Sequence, residues 1–216
     1  MRIGVLGTGM VGRAIATKLV ELGHEVRMGS RTAGNEVAVD WASAAGAGAS
    51  EGEFAAAAEH GELVFNCTAG AASLDALAAA AERNLAGKVV VDVANPLDFS
   101  GGMPPTLTVA NDDSLGERIQ AALPGARVVK ALNTVNAEVM VDPAGLPGDH
   151  VTFVCGDEQG AKDEVVALLG ELGWPPDRVV DLGGISAARG TEMYLALWLR
   201  MMGALGTNRF NISIER

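Results

Sequence analysis

The chain has 216 residues, of which 49% are hydrophobic, 20% are charged and 4% are aromatic, and its formal net charge is −11. These values predict a globular protein with one large domain, or a domain and a smaller lobe. The negative charge argues against nucleic acid and anionic membranes as partners, because both attract cationic proteins. No apolar run reaches membrane-spanning length, and the first residues, MRIGVLG, do not resemble a secretion signal. We therefore expect a cytoplasmic location.

The two cysteines, Cys67 and Cys155, lie in apolar strand-like segments. Buried, reduced thiols are the expected state, which suits the cytoplasm. Two cysteines without further clustered ligands give no disulfide framework and no metal site.

Apolar strand-like segments alternate with helical patterns along the chain. Strands are expected at 2–7, 24–30, 63–69, 88–96, 127–134, 151–156 and 178–183. Helices are expected at 10–23, 50–61, 73–84, 114–125, 158–173 and about 185–205. Ser50 is predicted to cap the second helix in a capping box with Glu53, and Ser114 to cap the fourth. The alternation predicts an α/β protein with a Rossmann-type parallel sheet that carries helices on both faces.

A glycine-rich turn, Gly7-Thr8-Gly9-Met10-Val11-Gly12, joins the first strand to the first helix. Gly7 permits the tight turn, Gly9 lets a pyrophosphate approach the backbone, and Gly12 allows close packing of helix on strand. The helix N-terminus adds free N–H groups and the positive end of its dipole. This context predicts a dinucleotide site.

The second strand ends in Ser30-Arg31-Thr32, without the carboxylate that usually holds the ribose of NAD. Ser30 and Thr32 can donate hydrogen bonds to a 2′-phosphate, and the Arg31 guanidinium can pair with it. We therefore predict NADP(H) as the cofactor. The alternative is that Arg31 is an ordinary solvated loop charge.

Three further strand ends fall on the same edge of the predicted sheet, at 66–70, 93–96 and 131–134. Ligands of open α/β sheets bind outside these carboxyl ends. Asn95 is expected to contact the cofactor there, and Asn133, Thr134 and Asn136 to lie beside the nicotinamide. Alternatively, Asn133 and Thr134 cap the helix that follows.

Five segments together resemble the F420-dependent NADP oxidoreductases: MRIGVLGTGMVG, LGHEVRMGSR, KALNT, FVCGDEQGAKDEVVALLGELG and DLGGISAARGTE. The resemblance extends over nearly the whole chain. It implies hydride transfer between NADPH C4 and C5 of the deazaflavin coenzyme F420, in a two-lobed subunit that is usually a homodimer. The Gly/Pro-rich segment AGLPGDH after Asp142-Pro143 indicates a boundary loop, so we expect an NADP-binding domain at 1–143 and a smaller α/β lobe at 144–216 that closes the ring pocket and dimerises.

The resemblance also assigns roles to individual positions. The pyrophosphate would lie on Gly7, Thr8, Gly9, Met10 and Val11, and the 2′-phosphate on Ser30, Arg31 and Thr32. Cys67, Thr68 and Ala69 would pass beside the ribose. The platform for both rings would be formed by Asn133, Thr134, Val135, Asn136 and Ala137. The segments Ile185 to Arg189 and Met201 to Leu205 would close the pocket.

Direct hydride transfer needs ring stacking and water exclusion more than acid–base groups, and we predict no catalytic acid or base. The small-molecule hydride acceptor stays open at this point. A flavin, imine or carbonyl compound is one alternative to coenzyme F420, and a non-catalytic NADP(H)-binding redox sensor is another.

Overall fold

The computed structural model describes residues 1–215, and its centre is a twisted sheet of eight strands in the order β10-β9-β8-β5-β4-β1-β2-β3. All neighbouring strands are parallel except β8 and β9, which are antiparallel. The strands of this sheet are β1 Arg2–Leu6, β2 Glu25–Ser30, β3 Ala49–Glu53, β4 Leu63–Asn66, β5 Val89–Asp92, β8 Arg127–Ala131, β9 Thr152–Cys155 and β10 Val179–Asp181. Two short strands, β6 Leu97–Asp98 and β7 Thr106–Leu107, form a separate antiparallel hairpin.

Helices cover both faces of the sheet. The α-helices are α1 Met10–Glu21, α2 Glu36–Ala45, α3 Phe54–His60, α4 Gly70–Ala80, α5 Glu82–Leu85, α6 Leu115–Ala122, α7 Ala137–Val141, α8 Gln159–Glu171 and α9 Ala188–Leu205. Short 3-10 turns occur at Pro143–Gly145, Pro176–Arg178 and Ile185–Ala187. Within residues 1–215, no helix is both long enough and apolar enough to cross a membrane.

The core consists of two apolar clusters, one on each face of the sheet. Successive strand residues point to opposite faces. In β5, for example, Val89 and Val91 belong to one cluster and Val90 to the other. Because the central strands are buried on both faces, they are apolar at nearly every position. This arrangement confirms the predicted Rossmann-type fold.

One predicted helix starts at the wrong residue, and one ten-residue helix was missed. The predicted helix at 50–61 begins only at Phe54, because Ala49–Glu53 forms the edge strand β3, where Ser50 lies opposite Arg27 instead of capping a helix. The polar sequence of β3 carries no strand pattern, and its backbone pairing with β2 decides its conformation. The missed element is α2, whose N-cap is Asn35. Ser114 caps α6 as predicted, since its Oγ accepts the N–H of Glu117 at 3.1 Å.

The C-terminal residues extend the main sheet. β9 joins the edge of β8 with Lys130 opposite Cys155, and β10 continues outward from β9. The last helix, α9, then returns towards the carboxyl ends of the strands, where it packs on α6 and the β7 hairpin. The division of the chain into domains 1–143 and 144–216 stays a prediction.

Candidate cofactor and substrate site

The central strands end level with one another, and a cavity opens directly beyond them. Leu6 of β1 is opposite Asn66 of β4, Asn66 is opposite Asp92 of β5, and Asp92 is opposite Lys130 of β8. The cavity has a volume of about 840 Å³. A more open depression of about 920 Å³ lies between α1, α2 and α7, away from these strand ends. The first cavity is therefore the candidate site.

The glycine turn has the geometry of a phosphate cradle. Gly7 has a φ of +119°, and a Cβ on it would lie 2.7 Å from the carbonyl oxygen of Cys67, so only glycine fits. Gly9 is the N-cap of α1, and a Cβ there would meet no atom within 4 Å. The backbone N–H groups at the start of α1 are thus open to an approaching anion.

Arg13 is a feature of this turn that the sequence analysis did not identify. Its Nη1 donates a hydrogen bond of 2.6 Å to the carbonyl oxygen of Thr8. The contact holds the turn in place and brings a positive charge beside it. The signal that could have identified it is a basic residue in the first turn of the helix after a glycine loop.

Many of the predicted contact residues surround one cavity. Its lining includes Met10, Val11, Cys67, Thr68, Ala69, Asn95, Asn133, Thr134, Val135, Asn136 and Ala137. The remaining predicted residues lie outside the lining. Gly7, Thr8 and Gly9 form the turn just before Met10, and Ser30, Arg31 and Thr32 lie at the end of β2.

The three residues predicted to bind the 2′-phosphate at the end of β2 have different surroundings. Ser30 is buried, and its hydroxyl donates to the carbonyl oxygen of Thr32 at 2.6 Å, so it shapes the turn. Arg31 and Thr32 are exposed. Among the ion pairs of residues 1–215, none involves Arg31. Its guanidinium is the group at this position that can meet an anion.

Asparagines join the ends of β5 and β8 at the cavity. Asn95 Nδ2 donates to the carbonyl oxygen of Asn133 at 2.8 Å, and Asn133 Nδ2 donates to Asn95 Oδ1 at 2.9 Å. The cap of α7 is Asn136, whose Oδ1 accepts the N–H of Val139 at 2.9 Å. The alternative that Asn133 and Thr134 cap this helix is therefore wrong, because the chain makes a further turn before α7 begins.

Helix α9 supplies the wall opposite the glycine turn, through Leu195 and Trp198. The segments expected to close the pocket, Ile185 to Arg189 and Met201 to Leu205, are not part of its lining. Ile185 packs into the core beside α6 instead. From this part of the chain, Leu195 and Trp198 of α9 and Asn208, just beyond the helix end, line the cavity.

The β6–β7 hairpin forms a side of the cavity that the sequence analysis missed. Leu97, Asp98, Phe99 and Thr108 all contribute to the lining, and Phe99 is 58% exposed. The strands of this hairpin are only two residues long, so their sequence carries no periodic signal.

Three ionisable side chains line the cavity, those of Cys67, Asp98 and Glu138. Burial, together with the nearby Asp92, raises the pKa of the Cys67 thiol, so the sulfur stays protonated. Two carboxylates, Asp98 and Glu138, belong to the lining, and the three histidines do not. The site offers apolar walls, amides and backbone groups, which suit the binding and alignment of rings.

Comparison with known proteins identifies the family. Residues 2–96 match the model of the family described as NADP oxidoreductase, coenzyme F420-dependent. The F420-dependent NADP reductase of Methanothermobacter marburgensis is 32% identical over 215 residues, which cover 93% of this chain and 92% of that protein. The chain belongs to the F420-dependent NADP oxidoreductase family.

Two further proteins are similar to this F420-dependent NADP oxidoreductase. A crystal structure from Arthrobacter sp. FB24, assigned as an F420-dependent NADP reductase, is 51% identical, covers 100% of both chains and superposes with a TM-score of 0.94. Metalloreductase STEAP3 of Rattus norvegicus is 28% identical over 201 residues, or 93% of this chain, but the chain spans only 37% of that protein's length. The relatives confirm the predicted family and its class of NADP-dependent oxidoreductase.

Proposed function

We propose that this protein transfers hydride between NADPH and the deazaflavin coenzyme F420. The observation that carries the proposal is the single cavity of about 840 Å³ that runs from the glycine turn to the apolar wall of α9. Hydride transfer requires two rings to stack with the donor and acceptor carbons about 3–3.5 Å apart and with water excluded. A cavity that begins at the glycine turn and has Leu195 and Trp198 on its wall supports this proposal.

The residues fit NADP(H). The open space above Gly9, at the N-terminus of α1, accommodates a pyrophosphate. The exposure of Arg31 supports a role for its guanidinium in binding a 2′-phosphate. When bound, NADPH would supply the hydride from nicotinamide C4, and F420 would receive it at C5 of its ring.

The protein's own contribution is to hold the nicotinamide and deazaflavin rings, to align them and to exclude water. Asn95 and Asn133 are fastened to each other, so the strand ends beneath the rings are rigid. Asn136, Val135 and Ala137 continue this platform into α7. Opposite them, the apolar side chains of α9 exclude water. Pre-organised alignment of this kind lowers the barrier without a catalytic acid or base.

The test mixes purified protein with NADPH and oxidised coenzyme F420 and follows the visible absorbance of the deazaflavin. NADH, FMN and a cyclic imine serve as parallel reactants. We expect rapid bleaching with NADPH and F420, and slow bleaching with NADH. Tight NADPH binding with no F420 reduction would overturn the proposal in favour of another acceptor. Binding without hydride transfer to any acceptor would indicate a redox sensor.

One observation favours a second candidate, the NADPH-dependent reduction of an imine. The carboxylates of Asp98 and Glu138 belong to the cavity lining, and a carboxylate stabilises a cationic iminium group. The cyclic imine in the assay distinguishes this activity from F420 reduction.

The finer proposals concern assembly and location. We propose a homodimer, supported by the exposed apolar side chains of Leu197 and Leu205 on α9, which are 57% and 59% exposed. Sedimentation equilibrium tests this, and Leu197→Glu should shift the protein to monomer.

A cytoplasmic location is supported by Cys67 and Cys155, both free thiols in the core. A division of labour between residues 1–143 and 144–216 is supported by the position of α9 opposite the glycine turn.

A further inference from the structure

A buried ionic cluster lies next to the cavity and takes no direct part in the proposed chemistry. Lys130 Nζ is 2.6 Å from Asp92 Oδ2 and 2.7 Å from Glu192 Oε1, and the three side chains are at most 2% exposed. Burial alone lowers the pKa of Lys130, but the two carboxylates more than offset this effect and raise the pKa above its ordinary value. The ammonium group therefore stays charged.

Two carboxylates against one ammonium leave a formal excess of one negative charge, and α6 compensates it. Glu192 Oε2 accepts the N–H of Leu115 at 2.8 Å, and Oε1 accepts the N–H of Gly116 at 3.0 Å. These are the first N–H groups of an eight-residue helix, where the dipole favours an anion. The Glu192 carboxylate thus joins three elements: α9, β8 and α6.

The same cluster reaches the cavity wall. Lys130 Nζ donates to the carbonyl oxygen of Ala94 at 2.6 Å, and Ala94 belongs to the cavity lining. Asp92 Oδ1 accepts a hydrogen bond of 2.8 Å from Asn66 Nδ2, and Asn66 Oδ1 accepts one of 2.7 Å from Thr68 Oγ1. Thr68 also lines the cavity. The strand ends under the cofactor half of the cavity are therefore tied to the cluster.

On the other side, the cluster includes Glu192 of α9. Leu195, three residues further along, shares its helix face, and Trp198 follows one turn later. Both side chains line the cavity. Apolar contacts between α9 and the sheet are non-directional, whereas the hydrogen bonds of Glu192 have defined lengths and angles. Glu192 is therefore a directional link between α9 and the strand ends.

We propose that Glu192 is a positioning residue for hydride transfer, which sets the distance between α9 and the strand ends and thereby seats the acceptor ring on the nicotinamide. The inference rests on the proposed function. A displacement of α9 by a fraction of an ångström would lengthen the path of the hydride, and misplacement of about 1 Å can cost roughly 100-fold in rate.

The test is Glu192→Gln, which keeps the shape of the side chain and removes the ion pair with Lys130. We expect the NADPH dissociation constant to stay within about twofold of the wild-type value. We expect kcat with F420 to fall about 10- to 100-fold, with a higher KM for F420. Equal losses in NADPH binding and in turnover, or wild-type kinetics, would overturn the proposal.

The matched control is Glu117→Gln. Glu117 and Arg189 also link α6 to α9, through bonds of 2.6 and 2.8 Å, but this pair is partly exposed and has no bond to the cluster. We expect wild-type kinetics from this variant. Reduced F420 turnover in the control equal to that of Glu192→Gln would mean that any loosening of α9 has the same effect, and would refute a specific role of Glu192.

A steric variant, Gly116→Ala, tests the same distance without altering charge. A Cβ at Gly116 would lie 2.9 Å from Ala188 Cβ at the start of α9, so the helix must shift. We expect a loss of F420 turnover with NADPH binding unchanged; full activity in a folded variant would contradict the proposal.

Hydrogen exchange separates this proposal from the proposed function. Residues 188–205 should exchange faster in Glu192→Gln than in Glu117→Gln, whichever acceptor the enzyme uses. If wild-type protein does not reduce F420, the proposed function fails, and unchanged exchange in Glu192→Gln would separately refute the role of Glu192.

Discussion

Asn95 and Asn133 are hydrogen-bonded to each other beyond the ends of β5 and β8. One side-chain amide donates to a backbone carbonyl at 2.8 Å and the other to a side-chain oxygen at 2.9 Å. The two asparagines are 38 residues apart in sequence, and they form part of one cavity wall. Because the two side chains are hydrogen-bonded to each other, we expect them to affect ligand binding partly by keeping this wall rigid.

Asn133→Ala should therefore affect both stability and binding. Loss of the Asn133 amide leaves Asn95 Oδ1 without its partner, and we expect unfolding to become easier by about 1–3 kcal/mol. If the pair acts only by holding the strand ends together, Asn95→Ala should weaken NADPH binding as much as Asn133→Ala does. The double variant should then lose little more affinity than either single variant. A much larger binding loss in Asn133→Ala would indicate a direct contact with the ligand. Denaturant unfolding and calorimetric titration measure the two effects.

Two glycines of the turn should respond differently to alanine. At Gly9 an added methyl group meets nothing within 4 Å, so Gly9→Ala should cost less than about 1 kcal/mol of stability. The methyl group would nevertheless occupy the space of the pyrophosphate, and we expect NADPH affinity to fall at least about tenfold, or about 1.4 kcal/mol. Unchanged NADPH affinity would contradict the assignment of the glycine turn as the pyrophosphate site.

Gly12→Ala is the contrasting variant. Its Cβ would overlap the carbonyl oxygen of Gly7, because α1 packs directly against the turn. We expect a loss of about 1–3 kcal/mol in unfolding free energy even without ligand. Thermal unfolding of the two variants side by side distinguishes a packing glycine from a binding glycine.

Arg31→Ala tests the choice of cofactor. Removal of the guanidinium should weaken NADPH binding by about 1–3 kcal/mol and leave NADH binding nearly unchanged, since only NADPH carries the 2′-phosphate. Arg83→Ala, at an exposed position of α5, is the control for net charge. Equal losses for both cofactors would mean that Arg31 contacts another part of the nucleotide.

The pair Glu117–Arg189 should make stability depend on acid pH. Hydrogen bonds from Arg189, and then from Ser114, outweigh the effect of burial and lower the pKa of Glu117. Because the folded pKa lies below the unfolded value of about 4.3, this stabilisation is complete above that pH. It is lost as the pH falls through the folded pKa.

The Tm of Glu117→Gln should accordingly lie below that of the wild type near neutral pH, and the difference should shrink below about pH 4. Differential scanning calorimetry across this range provides the measurement. A constant difference down to about pH 3 would show that the stabilisation does not come from the ionised carboxylate.

The sequence by itself determined the features that depend on neighbouring residues. The glycine turn, the central strands and the cap at Ser114 all follow from local rules of conformation and periodicity. The position of the site at the carboxyl ends of the strands followed as well, because parallel strands joined by helices bring these ends to one edge. Arg31 was singled out by its place directly after β2.

Only the tertiary structure decided the features that depend on residues far apart in the chain. The strand β3 has no apolar pattern and exists because β2 offers an unpaired edge. The charge of Lys130 is tolerated because Glu192, 62 positions later (192 − 130), arrives beside it on α9. Likewise, Leu195 and Trp198 form the cavity wall in place of the helix ends, because packing of α9 on α6 sets which turns face the cavity. Local sequence carries no signal for such contacts, since their free energy arises only when the distant partners meet.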